Sequence, residues 1–477
     1  LHTAYRRQRQ MCIRDRYSSV DALAKLIVDL LLIQEDASEK SKSKTEFLRS
    51  ILSVFLLTFS HDHESSGPNF NERPYFRILS TFLCEWAEIR QTHFAEFVSN
   101  EEDARRLDQF SYQLYDTLAE FFLALQPAAF PGFTFAWMCL VSHRMFMPML
   151  LEQGAESHSK KGSWEKAAAL LVALLKFQSG YVIGRDIPEA ITVIYKGTLR
   201  IFVVLLHDFP GFLAEYSFQL VSSMSQMFVQ LRNVVLSATP ENISVPDPLQ
   251  SGFKADGLRE ITIDPIIAGH PEQLLIQTGI KKNVDIYIRV PSDHLLDQIL
   301  PVLKLHTPTS ESGIGYKVTH YDLKLLNSLV LYIGTNAVEE KPHNNVMFNS
   351  KSSEVTFLAS LMKKEDTEFM FQVLQSMANN LGYPNSLTHW FSSVFLYFFS
   401  EKSSWQNHYN VQQVITRVLL ERVICHKPHP WGVVVTFTQL LQDVDYKFFE
   451  LPFIKGDREF ERIFSALRTH FSMNVQD

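Results

Sequence analysis

The sequence predicts an all-α chain, an irregular HEAT-like helical-repeat array in two lobes, on three observations. Apolar residues recur at helical spacing along most of the 477 residues. The periodic stretches are about 12 to 20 residues long, ordinary for globular helices. The breaks between them are short and built on Pro, Gly or Asn, so one helix with a wide apolar face follows directly on another, and stacking buries both faces. A chain of this length exceeds one compact domain, and 46% hydrophobic against 20% charged residues supplies a core with no signature of disorder. No strict repeat of fixed period is visible, so the array is irregular.

The helices follow in order. Val20 to Ile33 is apolar around most of one face, with Asp21 in its first turn, and a polar loop from Glu35 to Lys44 leads to Glu46 to Phe59. The stretch HDHESSGPN then reads as a turn. Tyr75 to Trp86, Ala104 to Leu125, Ala136 to Leu151, Trp164 to Phe177, Ile191 to Asp208 and Val221 to Ser237 complete an N-terminal lobe, 17–240. The longest uncharged run, Phe121 to His143, is interrupted by Pro127, Pro131 and Gly132, which fits a bend between buried helices and not a membrane span. Prolines at 240, 246, 248, 265, 271, 291, 301 and 308 preclude long helices in a connecting region, 241–320. A C-terminal lobe, 321–477, holds Tyr321 to Val338, Thr367 to Asn380, Leu387 to Glu401, Val411 to Cys425, Gly432 to Gln442 and Arg458 to Phe471, with a polar exposed loop from Glu339 to Ser353. The β-branched run Val433 to Thr438 is read as helix because it lies between a Pro-Trp-Gly start and Leu440-Leu441.

The chemistry-bearing residues do not assemble into a catalytic set. The net charge of −7 argues against a surface built to neutralise phosphates, and no basic run interleaved with aromatics offers a stacking platform for RNA. Cys12, Cys84, Cys139 and Cys425 are scattered without metal-ligand spacing, and read as reduced, mostly buried thiols of a cytosolic or nuclear protein. His61 and His63 lack a third and fourth ligand, so no metal site is expected. Gly313-Ile314-Gly315 lacks the strand and helix of a phosphate loop. His207-Asp208 has no nucleophile beside it and reads as a helix end. No cofactor, small-molecule substrate or secretion signal is expected.

Several words stand in fixed order. They are YKGTLR, LLHDFP, QLRN and PDP between Ile191 and Pro248; Tyr75-Phe76-Arg77-Ile78; Pro131 to Trp137; Val141 to Phe146; Leu326 to Thr335; Tyr383-Pro384-Asn385-Ser386 with His389; Ile415 to Arg422; and Pro428 to Gly432. From Tyr17 to Phe464 this order resembles the C-terminal domain of the Not-one family, the large scaffold subunits of the Ccr-Not deadenylase complex. Residues 1–16 match nothing in that family and are read as a non-native leader, and 252–315 diverges from its pattern.

The resemblance implies a non-catalytic domain that docks Not-two and Not-three type subunits, meets short linear motifs of RNA-binding adaptors, and supports poly(A)-tail shortening, translational repression and mRNA decay. It implies a cytoplasmic location that includes P-bodies, with nuclear presence. A generic HEAT-like transport or trafficking adaptor is the alternative that composition allows, and a helical hydrolase a further one. Two loops carry groups suited to an extended partner: Tyr383, Pro384, Asn385, His389 and Trp390 in one, His429 and Trp431 in the other. Each residue also has an internal reading, with Asn385 or Ser386 as a helix cap and Trp431 as a staple to the core. Arg417, Glu421 and Arg422 are read as surface ion pairs or partner contacts, with Arg417–Glu421 spaced for an intrahelical pair.

Overall fold

The structure, a computed structural model, describes residues 17–33, 41–96, 101–156, 160–182, 187–250, 253–305, 320–339, 348–400, 407–456, 458–459 and 462–464. Residues 1–16, Gly313-Ile314-Gly315, Cys12, and most of the loops expected at 35–44 and 339–353 lie outside these, as does most of Arg458 to Phe471. The described chain is all-α apart from one antiparallel pair of two-residue strands, β1 (Lys304–Leu305) and β2 (His320–Tyr321). It forms two compact units, 1–201 and 202–477.

The first unit holds α1 (Ser18–Ile33), α2 (Ser41–Ser66), α3 (Arg73–Glu96), α4 (Glu101–Ala124), α5 (Thr134–Val141), α6 (Met147–Glu156) and α7 (Lys160–Ser179). Helix α1 packs on α3, α2 on α4, and α4 and α6 on α7. Fully buried Trp86 meets Phe110 edge-on at 5.4 Å, and Trp137 donates its indole N–H to the Phe122 carbonyl at 2.7 Å. Arg77 grips Asp21 with two hydrogen bonds, 2.7 and 2.8 Å, which hold the Asp21 carboxyl below its usual range and tie α1 to α3.

Three expectations are corrected here. Helix α2 runs through HDHESS, because His63 stacks on Phe59 at 6.2 Å and meets Phe70 and Phe130 edge-on; aromatic packing extends the helix past the polar turn signals. The stretch 136–151 is two helices, broken where the Ser142 hydroxyl donates back to the Met138 carbonyl and the Met145 N–H donates to His143 Nδ1. The uncharged run 121–143 does bend at Pro131–Phe133, a single 3₁₀ turn. Cys84 and Cys139 are exposed rather than buried, because each faces out from its helix.

Helix α8 (Glu189–Asp208) crosses the boundary between the units. By length and composition it is the one described helix apolar enough to cross a membrane. It buries a stripe at Ile191, Ile194, Thr198, Phe202 and Leu205, the spacing of a core-facing helix. It ends at Asp208 before Pro210, with the exposed His207 ring bonded to Asp208 at 2.7 Å.

The second unit continues with α9 (Pro210–Glu215), α10 (Ser217–Val221), α11 (Val229–Leu236), α12 (Pro271–Gln277), α13 (Lys281–Arg289), α14 (Asp293–Leu303), α15 (Leu323–Glu339), α16 (Ser353–Lys363), α17 (Thr367–Ala378), α18 (Ser386–Phe399), α19 (His408–Val423), α20 (Trp431–Gln442) and α21 (Pro452–Lys455). Helix α15 is central, packing on α12, α14, α16, α17 and α18. The single helix expected over 221–237 is interrupted at 222–228, where the buried Arg232 guanidinium donates to the carbonyls of Ser225 and Gln226 and stabilises the turn. The Pro-rich stretch contributes Leu275, Val284, Leu296 and Ile299 to the same core as α15 to α20, so the unit boundary falls before it, inside α8. The run Val433 to Thr438 is helical, as expected.

Candidate partner-docking site

The two loops singled out in the sequence meet in the second unit. The Gly432 N–H donates to the Gly382 carbonyl at 2.7 Å, and Thr436 bonds Ser392 at 2.8 Å one turn further on, so the starts of α18 and α20 lie side by side. A Cβ at Gly432 would stand 2.5 Å from Thr388 Cγ2 and 2.9 Å from the Leu381 carbonyl carbon, so only glycine permits this approach.

Across these helix starts runs the chain's own segment 246–268, described except at 251–252. Trp431 donates its indole N–H to the Pro246 carbonyl at 2.9 Å and receives Phe253 edge-on at 6.2 Å. His389 Nε2 bonds Asp256 Oδ1 at 2.9 Å. The Ser386 N–H donates to the Ile263 carbonyl at 2.9 Å, its hydroxyl reaches Asp264, and the turn Glu260–Thr262 packs on α18 with Ile261 buried. Beyond it, the Ala268 N–H donates to the Glu215 carbonyl at 2.8 Å. This segment is a strap held at intervals.

The groups that sequence reading offered to a partner are therefore used largely within the chain. Asn385 caps α18, accepting from the Thr388 N–H at 2.8 Å and donating to the Tyr383 carbonyl at 2.8 Å. Tyr383 and Pro384 are buried, and the Tyr383 hydroxyl, which has a backbone hydrogen bond with Ile266, is pushed up to about 12 by burial. Trp390 is buried against Phe391, and His429 is half-buried. Of these groups the Trp431 indole meets the strap's backbone and the His389 imidazole a strap side chain, Asp256, while the Asn385 amide is used within its own loop and helix start. Arg417 and Glu421 form the expected pair at 2.9 Å. Arg422 is not a surface group: it is fully buried, because its helix turns it towards Gln375 on α17 and Asn379 just past that helix's end.

What remains open is a groove of about 1200 Å³ between the strap, α18 and the turn after α20. Its walls carry Leu396, Tyr397, Phe348 and Tyr446, with His389, Ser393 and Gln439 between them and Asp256, Asp443, Lys351 and Lys447 at the rim. Beyond Asp256 and Gln439 it adjoins a pocket of about 370 Å³ lined by Pro248, Phe253, Val435 and Gln442. Alternating apolar and hydrogen-bonding groups of this kind suit a segment of chain rather than a reaction centre. Among the described residues no group of three or more His, Cys, Asp or Glu side chains gathers as a metal set. Sequence reading missed the strap and the post-α20 turn, where Lys447 has a left-handed φ of 46°. Only the Asp443-Val444-Asp445 pattern hinted at the turn.

Comparison with known proteins gives the chain its family. The family model described as "CCR4-Not complex component, Not1" matches residues 95–468. "General negative regulator of transcription subunit 1" of Saccharomyces cerevisiae is 37% identical over 94% of the chain, which spans 21% of that protein. "CCR4-NOT transcription complex subunit let-711" of Caenorhabditis elegans is 32% identical over 95% of the chain, 16% of its own length. The chain thus spans about a fifth or less of these relatives. A solved structure described as "Not1 C-terminal domain in complex with Not4" aligns with a TM-score of 0.76 at 37% identity, covering 94% of this chain and 86% of that one. The NOT1 superfamily homology domain from Chaetomium thermophilum aligns with a TM-score of 0.81 at 29% identity, covering 96% and 85%. The helical architecture, the order of the sequence words and these matches together establish that the chain belongs to the Not1 family of CCR4-Not complex components.

Proposed function

We propose that this chain is a non-catalytic docking domain of the CCR4-Not scaffold that carries Not-two and Not-three type subunits, with a Not4-type subunit as a further partner. The observation that carries the reading is the near-complete alignment with a Not1 C-terminal domain solved in complex with Not4. The groove beside the strap supports it, because its apolar walls and charged rim suit a partner segment that orders on contact. His389 is the residue of the two loops that lines this groove. The names of the relatives, a regulator and a complex subunit, favour assembly over catalysis. On this reading the domain serves poly(A)-tail shortening, translational repression and mRNA decay in the cytoplasm, P-bodies and nucleus, with RNA-binding adaptors joining through short linear motifs.

The test is co-purification of the full chain with the matching Not-two and Not-three C-terminal regions, and separately with the Not4-type subunit, followed by size exclusion with light scattering. A stable equimolar assembly is expected. Separate elution of all partners at micromolar concentration overturns the docking role while leaving the family membership intact.

A further inference from the structure

Two cavities of the second unit meet at the strap turn Ala255–Gly257, the groove of about 1200 Å³ and the pocket of about 370 Å³. Four residues line both: Ala255, Asp256, Gln439 and Asp443. The junction therefore carries two carboxylates and an amide, whereas Lys351 and Lys447 line the groove alone and Lys254 the pocket alone. Each carboxylate has one oxygen engaged. Asp256 Oδ1 bonds His389 at 2.9 Å, and Asp443 Oδ1 accepts the Asp445 N–H at 3.0 Å, which leaves Oδ2 of each to meet a ligand. The negative field reaches the groove wall, where Asp443 and Asp445 add to burial in pushing Tyr446 up to about 12. The pocket behind the junction has the lining that a long cationic side chain needs. Pro248, Phe253 and Val435 offer apolar surface to a carbon stem, and a cation over the Phe253 ring gains from its quadrupole. Thr438, in the same lining, is 4% exposed, and its hydroxyl has no hydrogen-bond partner, a costly state unless a ligand meets it.

We infer that the pocket seats an arginine side chain of the partner segment that lies in the groove, with its guanidinium held between Asp256 and Asp443. The inference rests on the reading of the chain as a docking domain and adds the chemistry of one anchoring residue. A cation is favoured over a neutral side chain because the residues common to both cavities bear two carboxylates and no positive charge. Arginine is favoured over lysine because its planar fork of donors meets two carboxylates and an amide carbonyl together. A segment of chain is favoured over a small free solute because the larger groove, continuous with the pocket at the junction, gives the residues on either side of the arginine a place to lie. An arginine of the chain itself is the competing occupant, and it would leave no room for an added one.

The probes are N-acetyl-arginine amide and N-acetyl-citrulline amide, which has nearly the same shape and no charge. Each is titrated into the full chain while the Val435 methyl signals are followed by NMR, with the buried Val330 of α15 as control. Arginine amide is expected to give a saturable shift at Val435, to leave Val330 unmoved, and to bind at least tenfold more tightly than citrulline amide. The double variant Asp256→Asn/Asp443→Asn keeps both acceptor oxygens and both shapes, so the fold is expected to survive and the preference to vanish. If that variant does not fold, Asp256→Asn alone, at a side chain 89% exposed, takes its place, with the preference reduced at least threefold. Saturating arginine amide should also weaken binding of the Not-two and Not-three C-terminal regions at least threefold. A Val435 signal that does not respond, equal binding of the two probes, or a folded variant that keeps the full preference overturns the inference and leaves the docking function standing. Probe binding that does not compete with a docked region overturns the partner as occupant. Failure of the unaltered chain to bind either region with no probe present is a different result, which brings down the docking function and the partner's arginine with it.

Discussion

Arg422 on α19 donates through Nη2 to Oε1 of Gln375 on α17 at 3.0 Å, and the same Gln375 donates from Nε2 to Oε2 of Glu421 at 3.1 Å. One amide thus stands between a fully buried cation and a carboxylate at the helix surface. Arg422 also donates to Asn379 Oδ1 at 2.7 Å, while its own carbonyl accepts from Asn233 at 2.7 Å, so α11, α17 and α19 are joined through this residue. Its Nε and Nη1 have no hydrogen-bond partner, and burial, reinforced by the nearby Arg232, pushes its pKa well below the usual range. A buried charge in this state tolerates replacement better than abandonment. Arg422→Met is expected to cost about 1 kcal/mol and Gln375→Ala about 3 kcal/mol, as judged by urea unfolding. The reverse order would show that the cation itself holds the three helices together.

The strap depends on Trp431. Phenylalanine at that position keeps most of the ring packing but removes the N–H that meets Pro246, for a loss of about 1 kcal/mol. The local effect should exceed the global one, because the strap is held by a few separate contacts and not by a continuous ladder. Hydrogen exchange at the Ser386 amide, which is bonded to Ile263, is expected to accelerate in Trp431→Phe while amides inside α15 stay protected. Equal protection at both sites in the variant would mean that the strap is held without the indole.

Five tyrosines, Tyr75, Tyr115, Tyr321, Tyr383 and Tyr446, are pushed up to about 12, chiefly by burial. Since the folded value exceeds the unfolded one near 10, the unfolded chain loses these protons first. Their contribution to stability is therefore complete below pH 10 and declines as pH rises towards 12. Tyr383→Phe should make stability less steep in pH across this window. Tyrosinate absorbance of the folded variant should lose one late-ionising group.

Gly334 tests which of two opposed effects is larger. Alanine in mid-helix gains about 1 kcal/mol by propensity. At this position its Cβ would stand 2.6 Å from the ring of Phe391, which is fully buried and has no room to retreat. Overpacking costs typically 1–3 kcal/mol, so Gly334→Ala is expected to be destabilising by about 1 kcal/mol net. Adding Phe391→Leu should recover part of the loss, which thermal melts of the single and double variants would reveal.

Most helices were legible in the sequence because the signal is local: the i, i+3, i+4 pattern of α15 or α18 is enough to place it. The breaks at 142–146 and 222–228 were not, since the second depends on Arg232 folding back onto carbonyls that no spacing rule connects with it. The site was half legible. Trp431 does meet an extended backbone and His389 a side chain of the same segment, whereas Asn385 is only the cap of its own helix, and nothing near them in sequence says that the segment begins at Pro246. Arg422 was misplaced for a similar reason, because periodicity assigns a charged residue to the outer face and the amides of Gln375 and Asn379 allow it inside.

The strap also constrains the order of events during synthesis. Pro246 and its indole partner are 185 residues apart, so the segment leaves the ribosome long before the helix that anchors it. Until α18 emerges, Ile261 waits without its helix, and until Trp431 follows, the strap lacks its indole anchor. Closing so long a loop is slow compared with winding the helices themselves. The C-terminal helices thus act as a late clasp on earlier chain, and a chain that ends before α20 lacks both the indole anchor and the core side chains Val433, Phe437 and Leu440.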